Sequence, residues 1–185
     1  LKAPEAQDGH PGYSDPLDEQ KFVVNEINAL QKSKEWSSTA VVITYDDSDG
    51  WYDHVAPTVT NGSHDSAVDS TVCTSVAKVA GGYADRCGPS QRLPFLVVSP
   101  WAAQNTVDHT AIEQTSPLKF IEDNWSTGRI GDSSFDARAG SLNGLFDWRH
   151  PQQREVLLSP TTGAVTQVIP TRWHWGDDQG NDNQQ

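Results

Sequence analysis

The chain predicts an α/β fold, and three observations carry that expectation. "TAVVITY", residues 39–45, is a continuous, β-branched apolar run without alternation, the pattern of a strand covered on both faces of a mostly parallel sheet. "RLPFLVVSP", residues 92–100, reads the same way. Apolar residues at helical spacing lie before the first run and after the second, so the order is helix, strand, excursion, strand, helix.

Residues 1–15 carry two prolines and two glycines and read as a loop. The first helix follows. Asp15 is a suitable N-cap, Pro16 suits the first helical position, and Asp18 and Glu19 favour the positive end of the helix dipole. Leu17, Val23, Val24, Ile27 and Leu30 supply its apolar spacing, and "KSKEWSST" turns the chain into the first strand. Residues 55–91 are polar, rich in Gly, Ser, Thr and Asp, and read as a long excursion with room for a short hairpin. After the second strand, the expected helix has Ser116 as N-cap and Pro117 next, and runs through Leu118, Ile121 and Trp125 to a stop near Gly128. From about Gly131 the chain is loop-like, with "REVLLSP" and "AVTQVIP" as short edge strands, and "WGDDQGNDNQQ" has the composition of a disordered tail.

The 185 residues include 13 basic and 25 acidic side chains, a net charge of −12 that repels nucleic acid and anionic membranes. An anionic substrate would therefore need local positive charge, which a metal ion can supply. No run approaches the roughly 18 apolar residues of a membrane span. Cys73 and Cys87 lie 14 positions apart, without zinc-ligand spacing; a disulfide or two unlinked thiols both fit. The chain has no Met and starts inside a loop, so we read it as a processed chain or a piece of a longer protein.

Chemistry concentrates in "AVVITYDDSDGWYDH", residues 40–54. Ligands in open α/β sheets collect at the carboxyl ends of strands, where Asp46 and Asp47 fall. Adjacent carboxylates repel, and a divalent cation removes the repulsion. A turn rich in Asp, Ser and Gly accounts for "DDSDG" by itself, but not for "WYDH" directly after it. An EF-hand is excluded: with Gly50 as its central glycine, the first and twelfth ligands would be Tyr45 and Ala56. Asp53 and His54 could orient the pair as outer-sphere partners. His109, just past the second strand, and His10, in a glycine-bounded loop, would lie at the same sheet edge; His64, His150 and His174 have no such context.

"STAVVITYDDSDGWYDHV" resembles the signature of the bacterial phosphoesterase family that includes non-specific phospholipases C and acid phosphatases, within the alkaline-phosphatase-like superfamily. "QDGHPGYSDPLDEQKFVVNEINALQKSKEWSSTAV" and "CGPSQRLPFLVVSPWAAQNTVDHTAIEQTSPLKFIEDNW" are similar to the family's flanking segments, so the resemblance covers residues 7–150 or so. "DDSDGWYDH" is closer to the acid-phosphatase branch than to the phospholipase branch, where a Glu-His-Gly-Gly type of sequence commonly follows the first Asp. The resemblance implies a metal-dependent hydrolase of phosphoric esters with one divalent ion of unknown identity. It makes Asp46 and Asp47 metal ligands and His10 a catalytic group near the phosphoryl, and His54 and His109 match frequent positions of the family. Substrates would be a small phosphate ester or a phospholipid head group, in a periplasmic or secreted protein.

The family's nucleophile, a metal-bound Ser or Thr, lies far upstream of the Asp pair, and no segment of this chain matches it; Ser14, Ser48 and Ser99 do not. Residues 1–150 therefore resemble the C-terminal part of the catalytic domain, with an incomplete alkaline-phosphatase-like core, and 151–185 an extension with a disordered tail. A non-catalytic binding module that keeps the fold is the alternative, and sulfate-ester chemistry in the same superfamily is a third reading. "NGS" at Asn61 and "NWS" at Asn124 match glycosylation sequons.

Overall fold

A computed structural model describes residues 1–63, 65, 67, 70–77 and 87–173. His64, His174 and the tail expected to be disordered lie outside the described residues. The architecture is mixed α/β. Helix α1 spans Pro16–Gln31, strand β1 Val41–Thr44, helix α2 Thr71–Ser75, strand β2 Phe95–Val98, helix α3 Ser116–Trp125, and strands β3 and β4 Arg154–Leu158 and Val165–Pro170. β1 and β2 pair in one two-stranded sheet, and β3 and β4 form a second, antiparallel one.

The chain divides into two compact units. The first comprises Leu1–Val42, Val97–Ala102 and the described residues from Asp147 on; the second comprises Ile43–Leu96 and Ala103–Phe146. Residues 151–173 are built into the first unit, because β3 packs on α1.

In the first unit, α1 starts as its composition dictates. Asp15 Oδ1 accepts from the Leu17 amide at 2.7 Å, and Pro16 occupies the first turn. The helix ends where the Lys32 amide turns back to the Asn28 and Ala29 carbonyls. Its buried residues are Val24 and Gln31, whereas Leu17 and Leu30 are exposed. The reason is its neighbour. α1 lies along the open edge of β3, and side-chain amides meet that backbone: Gln31 Oε1 accepts from Val156 N at 2.9 Å and Gln31 Nε2 donates to Val156 O at 3.1 Å. Asn28 makes the equivalent pair with Leu158, at 3.1 and 2.8 Å. Two polar side chains one helical turn apart thus act as a surrogate strand and close an edge that would otherwise invite pairing with another chain. Trp101 adds packing, with Trp148 and Trp173 rings 6.1 and 5.6 Å away and its indole N–H donated to Ser37 O.

In the second unit, Ala139, Leu142 and Phe146 are buried, and Phe120 stacks on Phe146 at 5.1 Å. Thr115 is the residue preceding α3, so Ser116, expected as the cap, is its first helical residue and is fully buried. The apolar face expected for α3 is not the buried one. Ile121 and Trp125 are exposed, and Glu122 is buried, 3.0 Å from Arg129. Ser126 ends the helix in the left-handed conformation.

The excursion contains α2 and an isolated bridge between Asn61 and Gly88; among its described residues there is no hairpin. Cys73 and Cys87 are disulfide-bonded, closing a loop of 14 positions. Gly62 is seated so tightly that a Cβ there would lie 2.1 Å from the Val76 carbonyl oxygen. Asn61 is buried with it, so of the two sequons only the one at Asn124 presents an exposed asparagine.

Candidate active site

His10 belongs to the first unit, and Asp46, Asp47, Asp53, His54 and His109 to the second; each set has its own surroundings.

His10 is half-buried in a loop that its neighbours fix from several sides. Gly9, with φ +87°, makes the turn, and a Cβ there would press on the Glu19 carboxylate at 2.9 Å. The His10 amide donates to Asp8 Oδ1 at 3.0 Å, and its carbonyl accepts from Ser14 N at 3.0 Å. The Tyr13 ring stacks on the imidazole at 4.1 Å. His10 Nδ1 accepts from the Gly12 amide at 3.1 Å, which places the proton of the neutral ring on Nε2. Ser14 is buried and its hydroxyl accepts from the Gly9 amide, so it builds this loop. Ser99 is likewise committed, donating to Thr39 O and accepting from Trp101 N.

The acidic loop leaves β1 with Asp46 and Asp47 exposed. Asp47 Oδ1 accepts from the Asp49 amide at 2.7 Å, and Ser48 O accepts from Trp51 N at 2.7 Å. Asp49 and Gly50 are both left-handed, with φ 44° and 85°, so the chain reverses within two residues. Three side chains distant in sequence hold this loop, and sequence reading missed all three. Gln114 donates to the carbonyls of Tyr45 and Asp46 at 3.1 and 2.5 Å. Gln91 donates to Trp51 O at 2.7 Å. Arg92 forks onto Asp53, with Nε 2.8 Å from Oδ2 and Nη2 2.7 Å from Oδ1. These partners are 39 to 69 residues apart, so no local pattern could have announced them.

The Arg92 guanidinium, with help from the Val55 amide, holds the Asp53 carboxyl well below the usual carboxylate range. A carboxyl whose folded value is depressed stabilises fully above its unfolded value, near ~4, and loses that contribution as pH falls through the folded value. Arg92 stays charged throughout. We therefore expect Arg92→Ala to lower the unfolding midpoint at neutral pH, and the gap to the parent to close only on acidification well below pH ~4. A gap that does not change with pH would show that the pair carries no such linkage.

His54 is exposed, its ring edge-on to Tyr52 at 5.0 Å. His109 is exposed as well. Beside it, Asp108 is the anchored residue. Its Oδ1 accepts from the Thr110 amide and hydroxyl, both at 2.8 Å, which lowers its pKa. Gly144 makes room for it, since a Cβ there would lie 2.1 Å from Asp108 Oδ2.

Asp46 and Asp47 offer the hard oxygen donors that a divalent cation takes. Among the described residues, however, no group of three or more His, Cys, Asp or Glu side chains is arranged to hold a metal ion. The pair suits such an ion as part of a ligand set rather than as the whole of it. No helix among the described residues is long and apolar enough to cross a membrane.

The chain is similar to the non-hemolytic phospholipase C of Burkholderia pseudomallei, 34% identical over 171 residues, covering 87% of this chain and 24% of that protein. It is 26% identical over 181 residues to the non-hemolytic phospholipase C of Pseudomonas aeruginosa, covering 93% of this chain and 26% of that protein. It is also 37% identical over 122 residues to non-specific phospholipase C6 of Arabidopsis thaliana, covering 65% and 21%. The similarity is thus not confined to bacterial proteins, and the chain spans about a quarter of the length of the curated relatives it matches. A model described as the Phosphoesterase family matches residues 1–128, a stretch that holds the His10 loop, the acidic loop, His109 and all of α3. With more than half of its sequence inside that match, this chain belongs to the phosphoesterase family.

Proposed function

We propose that the chain is part of a metal-dependent hydrolase of phosphoric esters. The observation that carries this reading is the Asp46–Asp47 pair, set at the carboxyl end of β1 inside the family match and held there by a loop braced at both ends. Relatives named as phospholipases C support the reaction class, and a phosphate ester or phospholipid head group is the proposed substrate. β1 and β2 would be two strands of the parallel sheet of an alkaline-phosphatase-like core. The disulfide supports an exported, periplasmic or secreted protein.

Asp46 and Asp47 would contribute two carboxylate ligands. A divalent ion bound there supplies charge neutralisation at the phosphoryl oxygens and lowers the pKa of an attacking hydroxyl. His10, whose neutral ring carries its proton on Nε2, would donate to a phosphoryl oxygen or protonate the leaving oxygen. By the family resemblance, the Ser or Thr that forms the phospho-enzyme lies upstream of the Asp pair, so it and the remaining ligands would come from sequence beyond this chain; Ser14 and Ser99 are tied to backbone groups. A second reading is a module that keeps the fold without the chemistry, in which the pair binds no ion.

Titration with Mn²⁺ separates the two. We expect the chain to bind one equivalent and the Asp46→Ala/Asp47→Ala variant to bind none. Equal binding by both would remove the pair as a ligand set and favour the non-catalytic module; none by the parent would mean that the pair does not hold an ion without its missing partners or that the module is not catalytic.

A further inference from the structure

We propose that Gln114 is a positioning residue for the carboxylate pair, an assignment that rests on the reading of Asp46 and Asp47 as metal ligands. Successive carbonyls of an extended strand point in opposite directions, so one carboxamide cannot serve two of them along a straight strand. Gln114 Nε2 reaches both Tyr45 O and Asp46 O, and Asp46 is where the chain bends away from β1. The side chain therefore holds the bend itself, and the bend sets the directions in which Asp46 and Asp47 leave the backbone.

The residues around Gln114 are in turn fixed. The Glu113 amide donates to the Ser116 hydroxyl at 3.1 Å, and the Thr115 hydroxyl donates to Glu113 Oε1 at 2.7 Å. Ser116 is fully buried at the start of α3. Ala111 lies against Gly140, where a Cβ would come within 2.0 Å of its carbonyl oxygen. Gln114 thus extends from a rigid base to the entry of the acidic loop, while Gln91 and Arg92 hold the exit. A loop braced only at its exit would leave the two carboxylates free to separate, and a metal site loses affinity when its ligands are not held in register.

Gln114→Glu tests this, because the side chain keeps its shape and, once ionised, has no proton to donate. The readout is ¹⁵N relaxation of the Asp46 and Asp47 amides in the whole chain, with the thermal midpoint and Mn²⁺ affinity measured beside it. We expect order parameters near ~0.85 in the parent to fall toward ~0.6 in the variant at these two residues. The midpoint should stay within a few degrees, as for other exposed substitutions, and Mn²⁺ affinity should fall about tenfold. Gln114→Lys, which retains a donor, should recover the order parameters. Unchanged order parameters in Gln114→Glu overturn the proposal, and so does a loss of order spread over the whole second unit. A local loss of order with no Mn²⁺ bound even by the parent leaves Gln114 holding the bend and sinks the metal reading instead.

Discussion

Asp47→Asn, made in a protein that joins this chain to the remaining length of a family member, is expected to slow phosphate-ester hydrolysis by about a hundredfold or more. The substitution isolates charge from structure. Asp47 is exposed, and its Oδ1 accepts from the Asp49 amide. An asparagine Oδ1 accepts the same bond, so the turn that places the side chain survives. What disappears is one negative charge on a group proposed to bind the ion that offsets phosphoryl charge. Asp49→Asn is the matched control. It removes the same charge from the same loop, and Asn tolerates the left-handed backbone at this position. The two variants share any change in the overall field of the loop, so only a specific ligand role separates them. We expect Asp49→Asn to keep near-parental turnover, read with a chromogenic phosphate monoester and a phospholipid in parallel. Near-parental turnover by Asp47→Asn would end the assignment of this pair, and equal losses in both variants would trace the effect to bulk electrostatics.

The acidic loop shows which parts of such a site a sequence announces. The pair Asp46–Asp47 and the strand before it are contiguous, so their relation is written locally, and β1 lies within the run 39–45. The residues that aim the pair are not contiguous with it. Gln91, Arg92 and Gln114 are ordinary polar residues whose roles exist only once the chain has closed loops of 39 to 69 residues. Helices divide the same way. The start of α1 was legible because a cap is a local bond between Asp15 and Leu17. Its buried face was not, because periodicity counts apolar residues and the partner of this face is a strand edge that requires hydrogen bonds. α3 repeats the lesson: Trp125 is 65% exposed while Glu122, matched to Arg129, is 5% exposed. The continuous apolar runs located both strands, yet none of the eight residues in β1 and β2 is fully buried, and Leu96 is 50% exposed.

Asn28→Ala/Gln31→Ala is expected to lower unfolding stability by about 2–4 kcal/mol, a large share of what holds a domain of this size together. The double variant removes four hydrogen bonds and leaves the N–H and C=O groups of Val156 and Leu158 without their side-chain partners. Gln31 is 6% exposed, but its partner Val156 is 40% exposed, so the freed Val156 groups recover part of the loss by hydration. That balance places the estimate below the full penalty for four orphaned groups. Intrinsic propensity works in the opposite direction, since alanine favours a helix more than asparagine or glutamine does. A loss therefore cannot be assigned to a weaker α1. Asn25→Ala, on an exposed position of the same helix, supplies the comparison and should stay within ~0.5 kcal/mol of the parent. Urea titration reads both, and a double-variant midpoint no lower than that of Asn25→Ala would mean that α1 and β3 are held by apolar packing alone. A lower midpoint joined to concentration-dependent association would add that the uncovered strand edge recruits a second chain, the outcome that the two amides prevent.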